Sequence, residues 1–267
     1  MRKSLLIILM KPSILVGGQA VIEGVMMRVP GSYATAVRDP NGNIHIQKKE
    51  FTSITETSVF WKKPIFRGMA SLYESMKMGM KTLNFSVDIA MPEEEPQSKI
   101  GEFFSTLFAI GLALTLFIIA PMWLTTTLMD IEKEALWFNL VSGAFRIIFF
   151  ILYLLIISLL KDVKRLFQYH GAEHRVVYNF ESGKDVNIEN AQSFPTQHPR
   201  CGTSFLFIVL LSAIIVFALV DTIAISLLGT ISLALRILFH LPLIPIVSGI
   251  GYELIKLSSR KNSLIFK

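Results

Sequence analysis

The chain has 267 residues, 52% of them apolar and only 17% charged, with a mean hydropathy of +0.54, a balance that excludes an ordinary soluble globular protein and points to a membrane. Its net charge of +6 would suit nucleic acid, but the Lys and Arg gather beside the apolar runs, so membrane topology accounts for the charge and no nucleic-acid partner is expected. A single cysteine, Cys201, excludes an intrachain disulfide and leaves a free thiol, a ligand or a small core residue.

The start, MRKSLLIILMKPSILVGG, has a basic end and a short apolar run in the manner of a signal peptide. Lys11 interrupts that run and no small-residue cleavage pattern follows, so a signal or anchor is the minor reading. Met10 serves equally well as the true start. The next stretch, VGGQAVIEGVMMR, combines Gly17, Gly18 and Gly24, which allow close backbone approach, with the polar groups of Gln19, Glu23 and Arg28. It reads either as a strand and bend in a small domain or, with Arg67, Arg165 and Arg200, as part of an anion pocket. Lipid headgroups are the more ordinary ligands of such membrane-flanking arginines.

From Ser32 to Thr55 the pattern is β. YATAVR and IHIQKKEF flank DPNGN, whose Asp-Pro and Asn-Gly pairs predict a turn and hence a hairpin. PIFRGMASLYESMKMGMKTLNF then opens on Pro64 and places Phe66, Met69, Leu72, Tyr73, Met76 and Leu83 near one face of an amphipathic helix. Arg67, Glu74, Lys77 and Lys81 complete its polar side, and the helix is expected on the membrane surface or against the membrane bundle.

After the polar linker MPEEEPQSK, apolar runs at about 103–124, 143–161, 204–224 and 231–256 each approach the roughly 20 residues a bilayer needs. Lys161, Lys164, Arg165, Arg175 and Arg200 lie between the second and third runs, and Lys256, Arg260 and Lys261 follow the fourth; the opposite connections carry DIEKE and Asp221. The basic residues assign both termini and the long middle loop to the cytoplasm. Arg236 and His240, four apart, share a helical face that should look into the bundle or an aqueous cavity, and Pro242 and Pro245 predict a kink or break. The expected fold is an α-helical polytopic membrane protein of about four transmembrane helices with a small N-terminal α+β cytoplasmic domain containing a β-hairpin and an amphipathic helix. The domain boundary falls between residues 98 and 99, and the middle loop spans 162–203.

Two clusters in that loop carry chemistry. HGAEH sets His170 and His174 at i and i+4, the spacing that lets two imidazoles approach one cation, and HxxEH matches the inverted zinc-peptidase order in which the glutamate, here Glu173, is a general base. On a regular helix Glu173 is expected to point away from the histidines, so the base role calls for a local turn, as at Gly171; otherwise Glu173 is a surface carboxylate beside Arg175 or Lys164. FPTQHPRCGTSF brings His198 and Cys201 just before the third span. Consecutive antiparallel spans would place both clusters at one hairpin mouth, and a set of His170, His174, His198 and Cys201 suits zinc in ligand type. Four protein ligands make a closed structural site; three leave a position for an activated water.

GGQAVIEGVMMR, PIFRGMASLYESMKMGMKTLNFS, YHGAEHRVVYNFE, HPRCGTSFL and GIGYELIKLSSR together resemble the bacterial YqhQ-like membrane protein family, whose members are commonly labelled predicted metal-dependent enzymes. The resemblance runs from about residue 12 over nearly the whole chain. It implies an inner-membrane protein in which His170, Glu173, His174, the His198-to-Cys201 motif, Gln19, Glu23 and Arg28 belong to the family pattern; it implies no substrate. Members usually continue past the last span into a segment of Pro-Gly and Thr-Thr-Arg character with an acidic end, where this chain reads NSLIFK. No P-loop, dinucleotide fingerprint or serine elbow occurs, which tilts the balance toward a structural zinc site, with an oligomeric channel or transporter as the class of activity. A zinc-dependent hydrolase with Glu173 as base is the alternative.

Overall fold

A computed structural model describes residues 16–93, 98–198 and 201–258. The expectations for the apolar N-terminal run, the true start, Arg200, Arg260, Lys261 and NSLIFK lie outside the described residues.

Two compact units divide the chain, the first made of Met1–Ser53, Lys77–Glu93 and Lys161–His198, the second of Ile54–Met76, Glu94–Leu160 and Pro199–Lys267. The first is built on an antiparallel sheet of β1 (Gly17–Val21), β2 (Gly24–Val29), β3 (Ser32–Arg38) and β4 (Ile44–Glu50), each paired with the next in chain order. The expected hairpin is β3–β4, closed with Arg38 opposite Ile44. Its turn holds because the Asn43 amide donates to Asp39 Oδ1 at 2.8 Å and Gly42 supplies a φ of +88°. The glycine-rich stretch forms the β1–β2 hairpin, as the strand-and-bend reading expects. Tyr33, Thr35 and Val37 alternate inward along β3, and Met26 and Tyr33 meet Met78 of the helix that follows, with Phe51 against them.

That helix, α3 (Phe66–Ala90), comes after two single turns, α1 (Ile54–Thr57) and α2 (Val59–Lys62). Its buried stripe is not the apolar one read from the sequence. Ala70, Glu74, Met78, Thr82 and Ser86, each four residues on, are buried, whereas Tyr73 and Met76 are exposed. The polar members are accommodated because Thr82 Oγ1 donates to the Met78 carbonyl, Ser86 Oγ donates to that of Leu83, and Glu74 accepts from the Ile54 amide. Periodicity located the helix and its apolar side; packing within the chain uses a different stripe, in which the polar members are small or internally satisfied.

Among the described residues, four helical stretches are long and apolar enough to cross a bilayer: Ile100–Leu128, Ala135–Ser158, Gly202–Leu228 and Leu233–Leu257. The chain is a multi-pass membrane protein. The first stretch is α4 (Lys99–Leu114), a π-helical turn (Thr115–Ile119) and α5 (Ala120–Leu128). Pro121 explains the π turn, because it has no N–H for the Phe117 carbonyl and its ring pushes that carbonyl aside. The second is α6 (Ala135–Ser158), which a turn at Leu159 and Leu160 separates from α7 (Lys161–Ser182), so HGAEH stands on a helix of its own. After α8 (Ile188–Gln192), the third span is α9 (Gly202–Leu228). The fourth breaks as its prolines predict: α10 (Leu233–His240) ends in a 3-10 turn, Leu241–Leu243, before α11 (Ile244–Ser258). Asp221, assigned from sequence to a connection, lies inside α9 and is fully buried.

Helices α6 and α9 approach closely where Gly143 leaves room for Ile214. Gly143→Val should destabilise the protein by about 1–3 kcal/mol, the usual cost of overpacking. A lower thermal midpoint for Gly143→Val, largely restored in the Gly143→Val, Ile214→Ala double variant, checks this.

Candidate functional site

In the first unit, α7 lies against β1 and β2. The turn joining those strands places Glu23 at φ +50°, a left-handed conformation that costs a residue other than glycine about 1 kcal/mol or more. Arg165 holds its carboxylate as a fork, Nε to Oε1 at 2.7 Å and Nη2 to Oε2 at 3.0 Å, while the Tyr169 hydroxyl donates to Oε2 at 2.8 Å. The Arg165 hydrogen bond outweighs partial burial and holds the Glu23 carboxyl below the ordinary range; burial, and then that carboxylate, push the Tyr169 phenol up. The anion-pocket reading of this stretch therefore meets arginines already engaged by carboxylates. Arg165 is bound to Glu23 and, within the second unit, Arg67 to Glu253, with Nε to Oε1 at 2.6 Å. Gln19 sits against Gly79, and the Arg28 guanidinium lies 4.2 Å over the Phe51 ring.

One turn further along α7 stand His170, Glu173 and His174. Glu173 and His174 are buried. Glu173 Oε2 lies 3.6 Å from His170 Nδ1 and 3.6 Å from His174 Nε2. No local turn is needed. α7 runs unbroken through Gly171, and residues at i and i+3 are neighbours on a helix face, so the expected geometric obstacle does not arise. Nor is Glu173 a surface carboxylate: Gly18 of β1 faces it so closely that any side chain there would collide with it. His174 Nδ1 is 2.5 Å from the Thr196 carbonyl, which can only accept, so Nδ1 donates and Nε2 is the ring atom turned toward Glu173. The His198 ring lies tilted beside His174, with centroids 5.7 Å apart, and beside Tyr178 at 4.5 Å; its Nε2 is 4.0 Å from Glu181. Atoms bound to one tetrahedral zinc at about 2.0–2.1 Å lie roughly 3.4 Å apart, close to the separations around Glu173. Cys201 belongs to the second unit, where its sulfur accepts from the Thr203 amide at the N-terminus of α9.

The second unit has a buried charge cluster of its own. Asp221 accepts from Asn139 Nδ2 at 2.7 Å, from Arg236 Nη1, and from His240 Nε2 at 2.9 Å. Arg236 also lies 3.8 Å over the Phe138 ring, and His240 stacks on Phe217 at 4.0 Å. The face shared by Arg236 and His240 does look into the bundle, toward a carboxylate that the sequence had placed elsewhere. Arg146 of α6 escaped the sequence reading altogether. It is 2% exposed, and it is the one charged residue in Ala135–Ser158, a signal that membrane energetics alone would flag.

A model of a protein family of unknown function, DUF1385, matches residues 63–267. The chain belongs to this family. It is 31% identical over 258 residues to a Bacillus subtilis protein named "Uncharacterized protein YqhQ", covering 91% of this chain and 79% of that one, in agreement with the YqhQ-like resemblance. No solved structure matches.

Because the Glu23 carboxyl titrates below its ordinary value, the Glu23–Arg165 pair contributes stability above about pH 4.3, the free Glu pKa, and loses it as pH falls through the lower folded value. Both side chains are partly exposed, 30% and 49%, so Glu23→Gln should cost at most about 1 kcal/mol near neutrality. Thermal midpoints of wild type and Glu23→Gln should differ at pH 7 and converge toward pH 3.

Proposed function

We propose that the chain is a bacterial inner-membrane protein with both termini cytoplasmic, whose first unit is held together by one structural zinc ion, and that its activity is of the transport class rather than hydrolysis. The observation that carries the metal is the approach of Glu173 Oε2 to His170 Nδ1 and to His174 Nε2, 3.6 Å in each case, with His174 held by a backbone carbonyl. A backbone carbonyl is a usual partner for the other ring N–H of a ligating histidine. His198 is the nearest further donor of the unit, and in sequence Cys201 follows it by three residues, so both are candidates to complete the set. The ion would pin α7 to the segment carrying Thr196 and His198, supplying cohesion to a small unit.

Glu173 supports the structural reading. Its carboxylate stands between both imidazoles in the position of a ligand, whereas a general base must sit beside an open coordination site and reach a bound water. The membrane helices favour transport, since charges such as Asp221, Arg236 and Arg146 are kept inside bilayer segments mainly where ions or substrates pass.

Purified full-length protein should contain about one zinc per chain by elemental analysis, with retention lost in His174→Ala and weakened in Glu173→Gln. Cys201→Ser decides whether the thiol is among the ligands. A metal-free wild type refilled by no divalent ion would remove the metal reading, and alkaline phosphatase fused to the C-terminus should be inactive if that end is cytoplasmic.

A further inference from the structure

Arg146 is the most costly side chain in the molecule. It lies eleven residues into α6, about 17 Å along the helix and so roughly half-way through a hydrocarbon core of ~30 Å. Its Nε, Nη1 and Nη2 are all buried without a hydrogen-bond partner. A guanidinium in that position needs acceptors for its N–H groups and a countercharge. Asp221 acts on Arg146 through its charge but gives it no hydrogen bond, for its oxygens are engaged by Arg236, His240 and Asn139. The cluster thus holds two guanidinium groups against one carboxylate.

Other orphaned polar atoms share the place. Asn139, Ser142 and Arg146 fall at i, i+3 and i+7, on one face of α6. Asn139 Oδ1, Ser142 Oγ and His240 Nδ1 have no hydrogen-bond partner either. Phe217 links two of these side chains: the Arg146 guanidinium lies 5.2 Å from its ring centroid and the His240 ring 4.0 Å. Asn139 and His240 are joined through Asp221.

We propose that these four side chains form an intramembrane site for a phosphoryl group, with Arg146 as its principal anchor. The chemistry matches in sign and in donor count. Arg146 and the Ser142 hydroxyl donate to phosphoryl oxygens, and the guanidinium's charge is neutralised where water could only hydrogen-bond to it. Asn139 Oδ1 is an acceptor, and so is His240 Nδ1 of the neutral ring, because Nε2 holds the proton it gives to Asp221. Those acceptors call for a P–OH donor, which a protonated phosphate has and a carboxylate or a lipid phosphodiester lacks. The site names a ligand for the transport reading and rests on that reading for its purpose, though its chemistry stands without it.

The test uses the full chain in phosphatidylcholine nanodiscs, titrated with inorganic phosphate while thermal unfolding is followed. Wild type should show a saturable rise of its midpoint by several degrees. Arg146→Gln should weaken the apparent affinity at least tenfold and Ser142→Ala several-fold. In phosphate-free nanodiscs with phosphatidylglycerol, whose phosphodiester has no P–OH, no such rise is expected, and a rise there that depends on Arg146 would overturn the phosphate assignment. Absence of any rise with phosphate, or a rise unchanged in both variants, would overturn the proposal; should Arg146→Gln fail to fold, Ser142→Ala decides alone. Phosphate binding without phosphate flux into liposomes would retain the site and sink only the transport reading.

Discussion

A carboxylate sealed inside an apolar helix bundle survives as an anion only if its surroundings replace the water it has lost, and the second unit depends on Asp221 meeting that condition. Its two oxygens receive Asn139 from α6, and Arg236 and His240 from α10, so one buried group ties three helices together by charge-assisted hydrogen bonds. In hydrocarbon, apolar side chains give helices no reason to prefer one another over lipid. Polar pairing and close small-residue contacts, such as Gly143 against Ile214, therefore set which faces meet. The proline break between α10 and α11 fits the same scheme, because it leaves His240 at a helix end with its ring flat on Phe217.

The first unit solves a different problem. Its sheet is small, and β4 leaves Ile44 and Ile46 exposed, so the sheet's own core cannot account for its cohesion. Two features draw α7 onto it. Glu23 accepts an unfavourable backbone conformation that Arg165 and Tyr169 reward, and Gly18 makes room for the Glu173 carboxylate. A metal at His170, Glu173 and His174 would add to an arrangement the polar contacts already organise, which is the ordinary relation of a structural ion to its site.

Several features were readable from residue order because their causes are local. Asn-Gly and Asp-Pro impose a turn wherever they occur, prolines break helices without help from neighbours, and twenty apolar residues meet the thickness of a bilayer by arithmetic. The β3–β4 hairpin, the four spans and the interrupted last helix follow from these. The membership in the DUF1385 family was likewise written in contiguous motifs.

Which atoms meet was settled by tertiary structure alone. The sequence marks Glu173 as a neighbour of His174 but does not say that Gly18, far upstream, clears the space that buries it. It presents Asp221 as a loop charge, Glu74 as part of a polar helix side, and Arg146 as one basic residue among many; each is buried, since burial depends on what the rest of the chain places opposite. Sequence by itself determined the elements, the membrane and the family, because those depend on composition and short-range periodicity. Only the folded chain decided the faces, the partners and the unsatisfied donors, because these depend on distances between residues the sequence holds far apart.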